Sequence, residues 1–274
     1  MTMKKALTIA GSDTSGGAGI QADLKTMEEL GVYGMTALTV IVAQDPHNAW
    51  HHEVFPIDTT LIEKQIDTVL AGIGVDAVKT GMLPTPEIIE LAARKIKEYG
   101  IQNAVVDPVM ACKGADEILN PDVAVAMRKH LVPVAKIITP NLFEARMLAG
   151  LDKTPSTMEE IKEAARLIHE LGAEIVIVKV GGKLSFETAF DVLYDGNEYR
   201  LLESEKIDPA FTHGGGCTFS SAIAASLANG HSVDEAIEIG KEFITEAVRH
   251  SFRLNQYVGP TNHTGYRKKL ATQS

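Results

Sequence analysis

The chain has 274 residues, 45% of them hydrophobic and 23% charged, the balance of an ordinary globular protein. Its formal net charge of −10 argues against non-specific binding to nucleic acid or anionic membrane, yet leaves room for a local anion site. Two widely spaced cysteines, Cys112 and Cys217, exclude a disulfide scaffold, and no Cys/His spacing resembles a zinc site. No apolar run approaches the roughly 18 residues of a membrane span, and no signal segment precedes Asp13, so the cytoplasm is the expected compartment.

Short β-branched runs alternate with helical patterns. Ala6–Ala10 reads as a buried strand and Ala18–Leu30 as a helix. Strand Thr36–Ala43 precedes helix Thr59–Ala71, and strand Ala77–Thr80 precedes helix Pro86–Tyr99. Strand Ala104–Val109 leads to helix Val123–Leu131. Strand Lys136–Thr139 leads to helices Leu142–Ala149 and Met158–Leu171, and Glu174–Val180 is a sixth strand. Thr188–Tyr194 and Glu198–Glu203 flank Asp195-Gly196-Asn197, a hairpin signal. Helices Cys217–Ala228 and Val233–Phe252 close the pattern. Strand–helix alternation of this kind predicts an α/β fold with a mostly parallel sheet covered on both faces. The absence of repeats and linkers predicts one domain over 1–274.

In such sheets ligands bind beyond the carboxyl ends of the strands, where this chain keeps its glycines and polar residues. Gly11-Ser12-Asp13-Thr14-Ser15-Gly16-Gly17-Ala18-Gly19 joins a strand to a helix. It lacks the Lys-Ser/Thr ending of a P-loop and does not fit the dinucleotide fingerprint. It reads as a tight wall around a small ligand or as a plain turn, and Asp23 on the next helix is placed to aim a carboxylate into the cleft. Asn141-Leu142-Phe143-Glu144 is either a capping box or an amide and carboxylate beside phosphates and magnesium, with Asp107 as a second acid. Gly181-Gly182, flanked by Lys179 and Lys183, is either a nucleotide-facing turn or an ordinary one. His47, Trp50, His51 and His52 lack metal-ligand spacing and read as surface loop.

Thr212-His213-Gly214-Gly215-Gly216-Cys217 runs straight into a helix. Glycines and a helix start expose backbone N–H groups to an anion, and the same field would stabilise a thiolate at Cys217. Anion hole and base together point to group transfer onto a small molecule, phosphoryl transfer first.

Taken together, these segments resemble the ribokinase-like superfamily. The likeness lies with its vitamin-kinase branch, the hydroxymethylpyrimidine/phosphomethylpyrimidine kinases and related bacterial pyridoxal kinases. It is carried, in order, by Thr8–Thr26, Lys79-Thr80-Gly81-Met82-Leu83, Asp107-Pro108-Val109-Met110, Thr139-Pro140-Asn141-Leu142-Phe143-Glu144 and Thr212–Cys217. The superfamily usually has Asp where Cys217 stands, and cysteine there marks the branch. Cys112 is similar to a second cysteine, on a lid, found in a subgroup of pyridoxal kinases.

The resemblance implies a three-layer α/β fold and a Mg²⁺- and ATP-dependent kinase acting on a hydroxymethyl group. Pyridoxal, pyridoxine and pyridoxamine lead as substrates, in vitamin B6 salvage. The alternatives are a hydroxymethylpyrimidine/phosphomethylpyrimidine kinase of thiamine synthesis, a sugar or nucleoside kinase, and a non-catalytic binder of a vitamin aldehyde. Cys217 is the expected base, with N–H donors at Gly214, Gly215, Gly216 and Cys217, and Cys112 holding an aldehyde substrate or relaying a proton. Substrate contacts are implied at Gly11, Asp13, Ala18, Gly19, Asp23, Gln44, Met82, Val109 and Cys112. Nucleotide contacts are implied at Asn141, Lys179, Gly181, Gly182, Thr212 and Gly214, and magnesium at Asp107 and Glu144. In this chain Val180 stands where the branch often has Lys, one place after Lys179. A homodimer is the expected assembly, with no nucleic-acid or membrane partner.

Overall fold

The computed structural model describes residues 2–110, 121–182, 188–208 and 211–273. The first half of the chain contains β1 (Lys5–Asp13), α1 (Gly19–Glu29), β2 (Tyr33–Asp45), β3 (His51–Pro56), α2 (Thr59–Leu70), β4 (Ala77–Thr80), α3 (Pro86–Glu98) and β5 (Ala104–Val106). It continues with α4 (Pro121–Ala126), β6 (Ile137–Ile138), α5 (Leu142–Ala149), α6 (Met158–His169), β7 (Ile175–Gly181), β8 (Ala189–Tyr194) and β9 (Tyr199–Ser204). Helices α7 (Gly215–Ala228), α8 (Val233–Arg249) and α9 (Gly265–Gln273) close it.

All nine strands form one sheet in the order β3-β2-β1-β4-β5-β6-β7-β8-β9. Strands β2 to β7 run parallel across β1, β4, β5 and β6, while β3, β8 and β9 add antiparallel edges. The central strands are short apolar runs because both their faces are buried. Alternation along each strand sorts the residues. Val105, Ile137 and Ile177 pack with Phe219 and Ile223 of α7. Their neighbours Val106, Ile138 and Val178 join the larger core, built with Ile62 of α2, Ile89 of α3 and Ile161 of α6. Helices therefore cover both faces.

The order reverses between β1 and β4. The chain leaves β1 to one side for β2, and returns to the other side for β4. This is the switch point at which open α/β sheets form their crevice. The loops after β1 and β4 meet there, where the Gly81 amide donates to Ile9 O at 2.9 Å.

Helix limits follow local chemistry. Asp58, Thr85, Thr157 and Ser232 cap α2, α3, α6 and α8 through their side chains, and Pro86 opens α3. The structure corrects the sequence reading at several elements. His51 and His52 lie on β3, an edge strand, and α9 is an additional helix. Helix α8 ends at Arg249, and Ala18 caps α1 in extended conformation. Strand β5 stops at Val106, leaving Asp107 as the first residue beyond it.

Candidate active site

Two glycine loops pack against each other at the head of α1 and α7. Gly214 caps α7 at φ +77°, and a Cβ on it would stand 1.8 Å from Gly17 O. Gly19 would bring a Cβ to 2.3 Å from Gly11 O. Both positions exclude any side chain, so glycine here fixes backbone contact between loops. Helices α1 and α7 then run side by side in the same direction. Ser221 Oγ donates to Asp23 Oδ1 at 2.6 Å, and a few turns on Asn229 Nδ2 donates to Leu30 O at 2.9 Å. Two helix N-termini thus converge on one spot, each with a positive dipole end.

At that spot the amides of Gly216 and Cys217 have no acceptor among the described residues. The Gly215 amide is already donated to Thr212 O at 3.1 Å, which removes one of the four N–H donors expected there. A Cβ on Gly216 would lie 3.0 Å from Lys179 Nζ and 3.5 Å from Asp107 Oδ2. Lys179 and Asp107 are themselves joined at 2.6 Å, so a cation and a carboxylate flank the open amides. Burial would lower the Lys179 pKa, but Asp107 and Glu144 reverse this and hold it protonated.

Glu144 and Asn141 form the capping box of α5. The Asn141 amide donates to Glu144 Oε2 at 2.8 Å and the Glu144 amide to Asn141 Oδ1 at 3.0 Å. The structural and the functional readings of this motif therefore coexist, because Glu144 also lies within electrostatic reach of Lys179. Gly181 sits at φ +57°, Gly182 and Thr212 are exposed, and the Thr212 carbonyl accepts from the Gly215 amide at the head of α7.

A second cluster lies toward β2. Asp13, buried, accepts from Gln44 Nε2 at 2.7 Å, Ser15 Oγ at 2.9 Å and the Ala18 amide at 2.8 Å. His213 Nε2 stands 2.7 Å from Asp13 Oδ2 and ties the two glycine loops together. Burial alone would raise the Asp13 pKa. The His213 hydrogen bond and charge, with Ser15 and Gln44, outweigh burial and hold the carboxyl well below its usual range. His52, opposite Gln44 in the β2–β3 register, faces the same group, and burial and the His213 charge lower its pKa. Gly11 lies beside Met82, whose Cβ would be 3.7 Å from a Cβ added there. Val109 is half-buried just past Asp107. Gln44, Asp13, Gly11, Ala18, Gly19 and Met82 thus share one wall.

Asp23 is placed differently from its sequence reading. Its side chain is fully buried, with both oxygens 2.9 Å from Lys79 Nζ, and it also accepts from Thr8 Oγ1 at 2.6 Å. The carboxylate lies beneath the cleft as the counter-ion of a lysine with no exposed surface. The sequence reading placed Asp23 on the first turns of its helix, aimed into the cleft, and nothing in that position distinguishes a cleft from a buried cation.

The charge state of Cys217 is also a correction. Burial is the largest influence, Asp23 and Asp107 add to it, and together they outweigh the Lys79 ammonium and the Gly19 amide. The thiol is pushed up to about 12. The helix-start field does not leave a thiolate in the ligand-free protein. Cys112 and Lys183 lie outside the described residues.

Sequence reasoning missed His213, His52 and the role of Lys79. His213 immediately precedes the three glycines, and a polar residue in a loop that must be held shut was the available signal. Trp50 is not plain surface, since it stacks on Tyr257 with ring centroids 6.0 Å apart. Among the described residues no helix is long and apolar enough to cross a membrane, and no cluster of three or more acidic, His or Cys side chains could cage a metal. The hard oxygen donors of Asp107 and Glu144 instead fit a hydrated divalent ion that takes its remaining ligands from water and phosphate.

With this geometry in place, comparison with known proteins is specific. Residues 13–262 match the model of the phosphomethylpyrimidine kinase family. The chain is 62% identical over 267 residues to the pyridoxine kinase of Bacillus subtilis, covering 97% of this chain and 98% of that one. It is 41% identical over 274 residues to the hydroxymethylpyrimidine/phosphomethylpyrimidine kinase of the same organism, covering all of both chains. The structure of the Staphylococcus aureus pyridoxal kinase in complex with AMP-PCP and pyridoxal superposes with a TM-score of 0.92 at 45% identity, covering 98% of this chain and 96% of that one. The chain belongs to the phosphomethylpyrimidine kinase family.

Proposed function

We propose that this protein is an ATP-dependent kinase of ribokinase-like architecture that phosphorylates the hydroxymethyl group of pyridoxal and related B6 vitamers. The observation that carries this reading is the pair of unpaired amides at Gly216 and Cys217, set between Lys179–Asp107 on one side and the Asp13–Gln44–Met82 wall on the other. An anion hole between a cation and a small ring-sized wall suits a triphosphate meeting an alcohol. Similarity at 62% to a pyridoxine kinase supports the B6 substrate class, and the family and the 41% relative favour hydroxymethylpyrimidine as the second reading.

In the reaction the substrate hydroxyl oxygen attacks the γ-phosphorus. The new O–P bond forms as the bond to the β-phosphate oxygen breaks, and ADP leaves with that electron pair. The hydroxyl proton passes to Cys217 Sγ, whose own proton must first leave to solvent. The Lys79 ammonium and Gly19 amide favour that loss, and burial, Asp23 and Asp107 oppose it. The Gly216 and Cys217 amides and Lys179 are the donors for charge on the moving phosphoryl group. Asp107 and Glu144 would hold Mg²⁺ through water, and the ion would neutralise phosphate oxygens. Asp13, held by His213, and Gln44 orient the ring's polar groups while Gly11, Ala18, Gly19, Met82 and Val109 line its faces. Asn141, Gly181, Gly182, Thr212 and Gly214 border the nucleotide. Cys112, by resemblance, holds the aldehyde or relays a proton. Residues 1–274 act as one cytoplasmic domain, assembled as a homodimer.

Cys217→Ala tests the assignment. Turnover should fall about 10²–10⁴-fold while nucleotide affinity, read by calorimetry, stays unchanged. Near-normal turnover would remove Cys217 from the chemistry.

A further inference from the structure

Strand β7 is not regular where it reaches the site. Lys179 pairs with Asp191 of β8, but Gly181 pairs with Phe190, so Val180 is an extra residue on the β7 side. Such a bulge leaves amides without ladder partners and bends the strand. Here one side chain collects them. Asp191 Oδ1 accepts from the Val180 amide at 2.9 Å and from the Gly181 amide at 3.1 Å. Its other oxygen is held by Lys241 Nζ of α8 at 2.7 Å, and the carboxylate is buried. The bulge sits between two functional groups. On one side Lys179, whose own amide is tied to Pro140 O at 2.7 Å, reaches Asp107 and the head of α7. On the other, Gly181 turns left-handed into Gly182.

We infer that Asp191 is a positioning residue for phosphate recognition: by fixing the Val180 bulge from the same face of the sheet that carries Lys179, it sets both the reach of Lys179 and the course of the Gly181-Gly182 turn. The inference rests on the nucleotide-facing role given above to this edge. An ordinary sheet-stabilising carboxylate would affect folding without singling out one substrate. The groups Asp191 holds, the Val180 and Gly181 amides and Lys241, are separate from the vitamin wall at Asp13, Gln44 and Met82, so its effect falls on the nucleotide.

The test is steady-state kinetics of Asp191→Ala with Mg-ATP and pyridoxal, each varied in turn. The expected result is a KM for ATP raised about 10-fold or more with the KM for pyridoxal within about twofold. Asp191→Asn, which keeps an acceptor oxygen for both amides, should restore most of the ATP KM. If Asp191→Ala does not accumulate as folded protein, Asp191→Ser, too short to span both amides, is read by the same split. Equal changes in both KM values, or none, would overturn the inference. Lys179→Ala, measured alongside, separates the two levels. If it disturbs ATP kinetics and Asp191→Ala does not, the positioning role fails alone; if neither does, the nucleotide reading of this edge fails with it.

Discussion

A single thiol shows how far residue type and residue state diverge. Cys217 stands at a glycine-rich helix start, the setting that commonly acidifies cysteine, yet burial together with Asp23 and Asp107 makes its thiol harder to ionise. The position was legible in the sequence because three glycines and a cysteine before an apolar helix are a local signal. The charge state was not, because it depends on Lys79 and Asp23, which are 138 and 194 positions away in the chain. The same ion pair explains why Asp23 misled: a carboxylate facing inward from a helix looks alike in sequence whether it meets ligand or lysine. The account predicts that, in the free protein, iodoacetamide labels Cys217 slowly at neutral pH, with a rate still climbing above pH 10, followed on its own peptide by mass spectrometry. A rate that levels off near pH 7 would show a stabilised thiolate.

Elements with strong periodicity, α2, α3 and α6, were read nearly as they stand because one buried face dictates their pattern, and β4 was read as it stands because it is a short run buried on both faces. The misses share a cause. Strand β3 carries His51, His52 and Glu53, which are polar because it is an edge strand with an open face, and α9 has no continuous apolar stripe. What precedes α9 matters for the fold. His263 is buried against α7, its Nε2 3.1 Å from Thr218 Oγ1. Burial, then the Lys25 charge, lowers its pKa from 6.5 to about 4. The unfolded chain therefore binds more protons than the folded one between those values, so stability rises with pH across that window and is lost on acidification. Urea midpoints measured from pH 7 down to pH 4 should fall, and His263→Gln should flatten the slope there. Carboxylates such as Asp13, held below the usual range, act only at lower pH. An unchanged slope in His263→Gln would place the acid sensitivity elsewhere.

For the whole molecule, the sheet reversal between β1 and β4 decides where the candidate site forms. It brings the Gly11–Gly19 loop, the Thr80–Met82 loop and the head of α7 to one crevice, although they are spread over the full chain. Strand alternation predicted such a crevice, and three of the ordered motifs, at the ends of β1 and β4 and at the head of α7, meet in it. The clamp made by His213 and Asp13 was not foreseen, since it exists only once the two loops are packed. The crevice alone does not separate a B6 vitamer from the pyrimidine precursor of thiamine, since both are small heteroaromatic alcohols. The account's central claim is therefore tested most directly by ADP release with Mg-ATP and, in parallel, pyridoxal, pyridoxine, hydroxymethylpyrimidine and ribose. The account predicts turnover of pyridoxal with a kcat/KM above that for the pyrimidine, and none with ribose. A preference for the pyrimidine, or no turnover of any vitamer, would contradict it.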